Sequence, residues 1–216
     1  NMSNKFDIYI ASPKDEPYYN IWKSNNRVKD MCFLPHRQFT VKHLFLLIKF
    51  VKKHDIQVLQ ANGKGAGSYR FIKLFCPKVK VLYAYRGFHI HNYSTVQRKL
   101  YFVYERFMTL FTDKVINVSK GEQKQCVDNN VLKKSLSFHI YNGIKPLEKE
   151  INSELKSRYK DKFVIATLSR FDVQKNMGLM YEIASKLKNH KNIQFIFIGD
   201  GNDKLILEQK AKKENL

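Results

Sequence analysis

Arg170 and Lys175 stand five residues apart just beyond the apolar run Phe163-Val164-Ile165-Ala166. Together they have the chemistry of a diphosphate clamp: the guanidinium offers a planar fork of donors, and the ammonium a compact point charge. A run that is apolar on both faces reads as a buried interior parallel strand, and ligands of open α/β sheets gather beyond the carboxyl ends of such strands. Arg170 leaves the strand at that rim. The polar connection 172–176 then enters the amphipathic stretch MGLMYEIASKLK, so Lys175 falls beside a helix N-terminus whose free amides also attract anions. The plain alternative is a surface arginine and lysine on an ordinary strand-to-helix loop.

A second apolar run, 192–198, ends in Gly199-Asp200-Gly201 ahead of another helical pattern, 203–213. Glycines there serve either phosphate approach or a tight turn at positive φ. Earlier in the chain, Asn62-Gly63-Lys64-Gly65-Ala66-Gly67 follows a strand and opens a helix, where bare backbone at Gly63 and Gly65 could approach a phosphate or sugar. Its spacing is not that of the dinucleotide fingerprint, which speaks against a nicotinamide enzyme. After the strand 80–84 comes Tyr85-Arg86-Gly87-Phe88-His89-Ile90-His91. His89 is the candidate for proton transfer or positioning, Arg86 can hold an oxygen but cannot act as a base near neutrality, and His91 reads as a packing residue.

These residues are positioned by alternating elements. Strands are expected at 6–11, 28–33, 56–60, 80–84, 114–118 and 137–141, and helices at 41–54, 65–75, 95–111 and 120–129. Such alternation calls for mostly parallel sheets with helices on their faces, hence an α/β fold. Asn142-Gly143-Ile144-Lys145-Pro146 breaks the rhythm, and a charged stretch follows. The boundaries are therefore a first domain at 1–146, a linker at 147–161 and a second domain at 162–216.

Composition bounds the partners. Among 216 residues, 39 Lys and Arg against 19 Asp and Glu give +20, which favours polyanions: nucleic acid, anionic lipid or phosphorylated small molecules. No zinc-finger spacing, RNA-binding signature or basic zipper is present, so specific nucleic-acid recognition is not expected. Cys32, Cys76 and Cys126 are widely separated and unpaired in spacing, which suggests buried thiols in a reducing cytosol and no zinc site. The apolar helix at 41–51 is too short to span a bilayer but could lie on one, with Lys42, Lys49, Lys52 and Lys53 as a basic patch.

The ordered series of Arg170 and Lys175, an amphipathic helix and Phe197-Ile198-Gly199-Asp200-Gly201 resembles the donor-binding domain of family 4 retaining glycosyltransferases of GT-B fold. Tyr85-Arg86-Gly87-Phe88-His89, Val118-Ser119 and Tyr141-Asn142-Gly143-Ile144 resemble, in the same order, the family's acceptor domain. The resemblance implies two Rossmann-like doubly wound parallel-sheet domains, the second incomplete. It implies transfer of a sugar from a nucleotide-diphosphate donor, with retention and without a metal or other cofactor, to a polysaccharide or lipid-linked acceptor of the bacterial envelope. Donor phosphates would fall to Arg170 and Lys175, the catalytic neighbourhood to Arg86 and His89, and further binding to Gly63, Gly65, Asn142, Gly199 and Gly201. The family commonly has histidine where Arg86 stands, so that histidine's role does not carry over directly. By the same resemblance the first βα unit and the glutamate pair that contacts donor sugar and ribose are absent, and a fragment inactive on its own, cytoplasmic and peripheral on the inner membrane face, is expected. A non-catalytic polyanion- or phosphate-binding module and a sugar-nucleotide epimerase on the same scaffold stay open as alternatives.

Overall fold

Among the described residues the apolar runs pair side by side, and every pair is parallel, as helical crossovers between successive strands require. The computed structural model describes residues 6–36, 38–88, 90, 93–144 and 153–215. The chain divides into two units, Asn1–Ile144 and Lys145–Leu216. His89 and His91 lie outside the described residues, as do 145–152 of the expected boundary and linker.

In the first unit β1 (Ile8–Ser12) pairs with β2 (Val28–Phe33) across α1 (Tyr18–Lys23), a short helix that the sequence pattern does not announce. Next, α2 (Val41–Lys53) leads to a sheet in the order β3 (Val58–Asn62), β4 (Lys80–Ala84), β5 (Lys114–Asn117) and β6 (Ser137–His139). Its later crossovers are α5 (Thr95–Met108), extended by a 3-10 turn at Thr109–Phe111, and α6 (Lys120–Asp128). Side chains start these helices: Thr40 accepts from the His43 amide, Ser94 and Gln97 form a reciprocal capping box, and Ser119 accepts from the Glu122 amide. Each satisfies amides that the first turn leaves without a partner. Leu44, Leu47, Ile48 and Val51, spaced along one face of α2, pack with Ile72, Val79 and Val81, while Tyr83, Tyr85, Phe88, Val115 and Cys126 form a second cluster.

Between β3 and β4 one helix over 65–75 was expected, and three short pieces stand instead: α3 (Gly63–Ala66), a 3-10 turn at Gly67–Phe71 and α4 (Ile72–Phe75). The cause is Arg70. Its Nε donates to the Gly67 carbonyl at 2.7 Å, taking an acceptor that a continuous helix would use for its own ladder. Arg70 is fully buried; its Nη2 donates to Glu105 of α5 at 2.9 Å and its guanidinium lies 3.9 Å from the Tyr83 ring centroid. Tyr85 donates to the same carboxylate at 3.2 Å. Burial and the Glu105 charge push the Tyr85 phenol well above its ordinary range.

The second unit runs α7 (Ser153–Arg158), β7 (Phe163–Leu168), α8 (Met177–Lys186), β8 (Ile193–Ile198) and α9 (Lys204–Glu214). The stretch expected as a linker thus carries α7. Met177, Tyr181 and Ala184 form the buried side of α8, and Glu214 of α9 accepts from Tyr181 and Ser185 at 2.9 and 3.0 Å. The expectation of a buried interior strand at 163–166 needs correcting. β7 pairs only with β8 among the described residues, and Phe163 and Leu168 are 68% and 80% exposed. A fully apolar strand reports that both faces suit burial, not that both faces are covered. Cys32, Cys76 and Cys126 are free thiols. Among the described residues no helix is long and apolar enough to cross a membrane.

Candidate functional site

Arg86 sits at the carboxyl rim of the four-stranded sheet, two residues beyond β4, with φ of +56°. A non-glycine residue rarely adopts that backbone, and one held there at a sheet rim is a strain signal worth explaining. Its Nε donates to the Asn62 Oδ1 at 3.3 Å and its Nη1 to the Asn142 Oδ1 at 2.5 Å. One guanidinium therefore reaches from the last residue of β3 on one side to the segment beyond β6 on the other. Glu122, near the start of α6, holds the turn from below: one oxygen accepts from the Gly87 amide at 2.7 Å and the other from the Val118 amide at 2.8 Å. The loops after β4 and β5 are thus joined by one buried carboxylate.

Of the residues singled out in this unit, the structure brings together Arg86 and Asn142. Gly63 has φ of +68° and open space on the side where a Cβ would project, so it serves the turn out of β3, while Gly65 lies inside the single-turn α3. Lys64 of the same segment sits 4.3 and 5.1 Å from the ring centroids of Tyr93 and Tyr101. Asn62 and Glu122 were not picked out as functional. A signal for Glu122 existed, since Ser119-x-x-Glu122 has capping-box spacing; Asn62 carried none beyond preceding a glycine.

In the second unit Arg170 follows β7 and is exposed, with Nη1 3.3 Å from Asp172 Oδ2 and Nη2 donating to Gln174 Oε1 at 3.0 Å. Asp172 also orders the turn, its Oδ1 accepting from the Lys175 amide at 3.0 Å. Lys175 is exposed two residues ahead of α8, so both cations lie on one short loop at the carboxyl end of β7. Asp172 and Gln174 belong to the polar connection 172–176 between the two cations, where sequence alone carries no sign that they hold Arg170.

Gly199 and Gly201 shape that loop from the side. Their φ values are +148° and +150°, and a Cβ would stand 1.9 Å from the Ser169 carbonyl oxygen at Gly199 and 2.3 Å from that of Phe171 at Gly201. No side chain fits either place. The two segments are sewn together by backbone: Ser169 to Ile198, Phe171 to Asp200 and Asp203 to Phe171, at 3.0, 2.9 and 3.0 Å. Both glycines therefore set the course of the cation-bearing loop.

No family model matches the chain. Over 182 residues it is 24% identical to the O-antigen biosynthesis glycosyltransferase WbnH of Escherichia coli, covering 83% of this chain and 51% of that protein. The chain thus spans about half the length of the curated relatives it matches. Among solved structures, Anabaena HepE in complex with UDP and glucose is similar with a TM-score of 0.73 at 14% identity, over 96% of this chain and 59% of that one. A glycosyltransferase from Rickettsia africae is similar with a TM-score of 0.67 at 15% identity, over 98% and 65%. The chain accordingly has the α/β fold of GT-B glycosyltransferases, with two Rossmann-like units of parallel sheet.

Proposed function

We propose that this chain is part of a glycosyltransferase that takes its sugar from a nucleotide-diphosphate donor, and that the loop 170–175 receives the diphosphate. The observation that carries the reading is Arg170 and Lys175 on one loop at the carboxyl end of β7, its course set by Gly199 and Gly201. The likeness to WbnH and to UDP-bound HepE supports it. As an acceptor hydroxyl oxygen bonds to the anomeric carbon, the bond to the diphosphate oxygen breaks and negative charge gathers on the leaving group. Fixed cations there stabilise the transition state more than the ground state. Release of Arg170 from Asp172 and Gln174 onto phosphate exchanges an exposed pair, worth at most about 1 kcal/mol, for charge-assisted contacts.

In the first unit, Arg86 is assigned to hold an oxygen of the acceptor or donor, and His89 to position or move the acceptor's proton. The reading extends, by family resemblance, to retention at the anomeric carbon without a metal and to an envelope polysaccharide or lipid-linked acceptor. An anionic membrane surface at the inner face is the partner through the lysines of α2; Lys53 contributes least, since it pairs with Asp30 at 3.3 Å. Calorimetric titration with UDP tests the donor half. Binding is expected to weaken roughly ten- to a hundredfold in Arg170→Ala and in Lys175→Ala, the loss of about 1.5–3 kcal/mol each. Unchanged affinity in both folded variants would refute the assignment.

A further inference from the structure

α5 carries large apolar residues on both of its faces. Its core-facing side carries Glu105, the partner of Arg70, beside Met108, both buried, with Tyr101 and Phe102 packed against the core. The opposite side carries Val96, Leu100, Val103, Phe107 and, in the following 3-10 turn, Leu110, which are 67%, 65%, 60%, 50% and 71% exposed. Spacings of four and three residues put all five on one stripe, about 21 Å long at 1.5 Å per residue. A surface helix ordinarily turns such a stripe inward.

The stripe continues beyond α5. Phe107 lies 6.2 Å from Phe71 between ring centroids, Phe71 is one helical turn from Phe75, and Phe75 lies 5.8 Å from the exposed Phe45 of α2. Segments 41–53, 72–75 and 95–111 together contain eight Lys and Arg and one acid, Glu105, which is buried against Arg70. Lys42, Lys49 and Lys99 are exposed on these same helices. The nearby acids Asp113 and Asp30 are taken up by Lys73 and Lys53, so the charge left around the apolar ridge is positive, and it complements a layer of acyl chains beneath phosphate headgroups. A second copy of this chain would instead bring two basic surfaces together, with Asp30 and Asp113 already paired to lysines of their own copy.

We propose that the outward face of α5, continued through α4 to Phe45 of α2, docks flat on an anionic lipid surface. The inference deepens the proposed function by placing the docking element, and rests on that reading only for a lipid-linked acceptor; vesicle binding and UDP binding can fail independently. The test is co-sedimentation of the chain with phosphatidylglycerol–phosphatidylcholine vesicles and with pure phosphatidylcholine, alongside light scattering for the oligomeric state. The chain is expected as a monomer that prefers the anionic vesicles. Leu100→Ser/Val103→Ser should lower the bound fraction about tenfold, and Lys49→Glu/Lys99→Glu should lower it severalfold without removing apolar surface. Ile206→Ser, at an exposed position on α9, should change nothing. Equal retention on neutral vesicles, full retention of either double variant with unchanged circular dichroism, or a dimer that Leu100→Ser/Val103→Ser dissociates would overturn the proposal.

Discussion

Replacing Arg86 by glycine and by lysine separates its structural role from its chemical one. At φ of +56° a non-glycine backbone costs about 1–2 kcal/mol, which Arg86→Gly recovers. Against this stand two hydrogen bonds, to Asn62 and Asn142, worth about 0.5 kcal/mol each at an exposed site. A further cost of about 0.5–1 kcal/mol comes from the freer unfolded chain. These nearly cancel, so Arg86→Gly should melt within about 4 °C of the parent. Arg86→Lys keeps the strained backbone and loses the fork that spans both asparagines, so the chemically conservative change should be the less stable of the two. In an active glycosyltransferase that contains this chain, both should transfer sugar at least tenfold more slowly. Thermal unfolding by circular dichroism and UDP release, measured on the same preparations, give the two readouts. A loss of more than about 3 kcal/mol in Arg86→Gly, beyond what these terms allow, would refute this energy balance, and full turnover would refute the substrate contact.

Gly199→Ala places a methyl 1.9 Å from the Ser169 carbonyl and should cost the second unit more than about 3 kcal/mol; hydrogen exchange that leaves amides 169–176 as protected as before would contradict the loop packing. Glu105→Ala strands the buried Arg70 and should cost about 3–5 kcal/mol, whereas Arg70→Met/Glu105→Leu should regain most of it; equal melting of single and double variants would exclude a coupled pair. Partial burial raises the Asp113 carboxyl, but Lys73 and the Val81 amide outweigh it and hold the group below its ordinary value. That stabilisation is present above the unfolded value of about 3.9 and is lost as pH falls through the lower folded value. The melting temperature of Asp113→Asn should therefore vary less with pH below about pH 4, and parallel curves would rule this contribution out.

Strands were legible where short apolar runs such as Lys80–Ala84 stand between turn signals. What periodicity could not show was the turn at Arg70: its guanidinium bonds back to the Gly67 carbonyl and across to Glu105, thirty-five residues away, a tertiary contact. Nor could it tell which face of α5 turns inward, since both faces hold large apolar residues and the decision rests on that same buried pair. Arg170 and Lys175 can be singled out, as candidates, because cations after an apolar strand have a chemical meaning in sequence alone. Glu122 was passed over because a capping residue and a loop-bracing residue share one spacing.

The most direct measurement of the central claim is where UDP touches the chain, read from backbone amide shifts in nuclear magnetic resonance as the nucleotide is added. Shifts are expected to concentrate at 169–176 and 199–203, and to disappear at the same UDP concentration in Arg170→Ala/Lys175→Ala while the spectrum elsewhere is unchanged. Shifts concentrated instead at 62–67, or persistence of the 169–176 shifts in the double variant, would contradict the assignment of the diphosphate to the loop after β7.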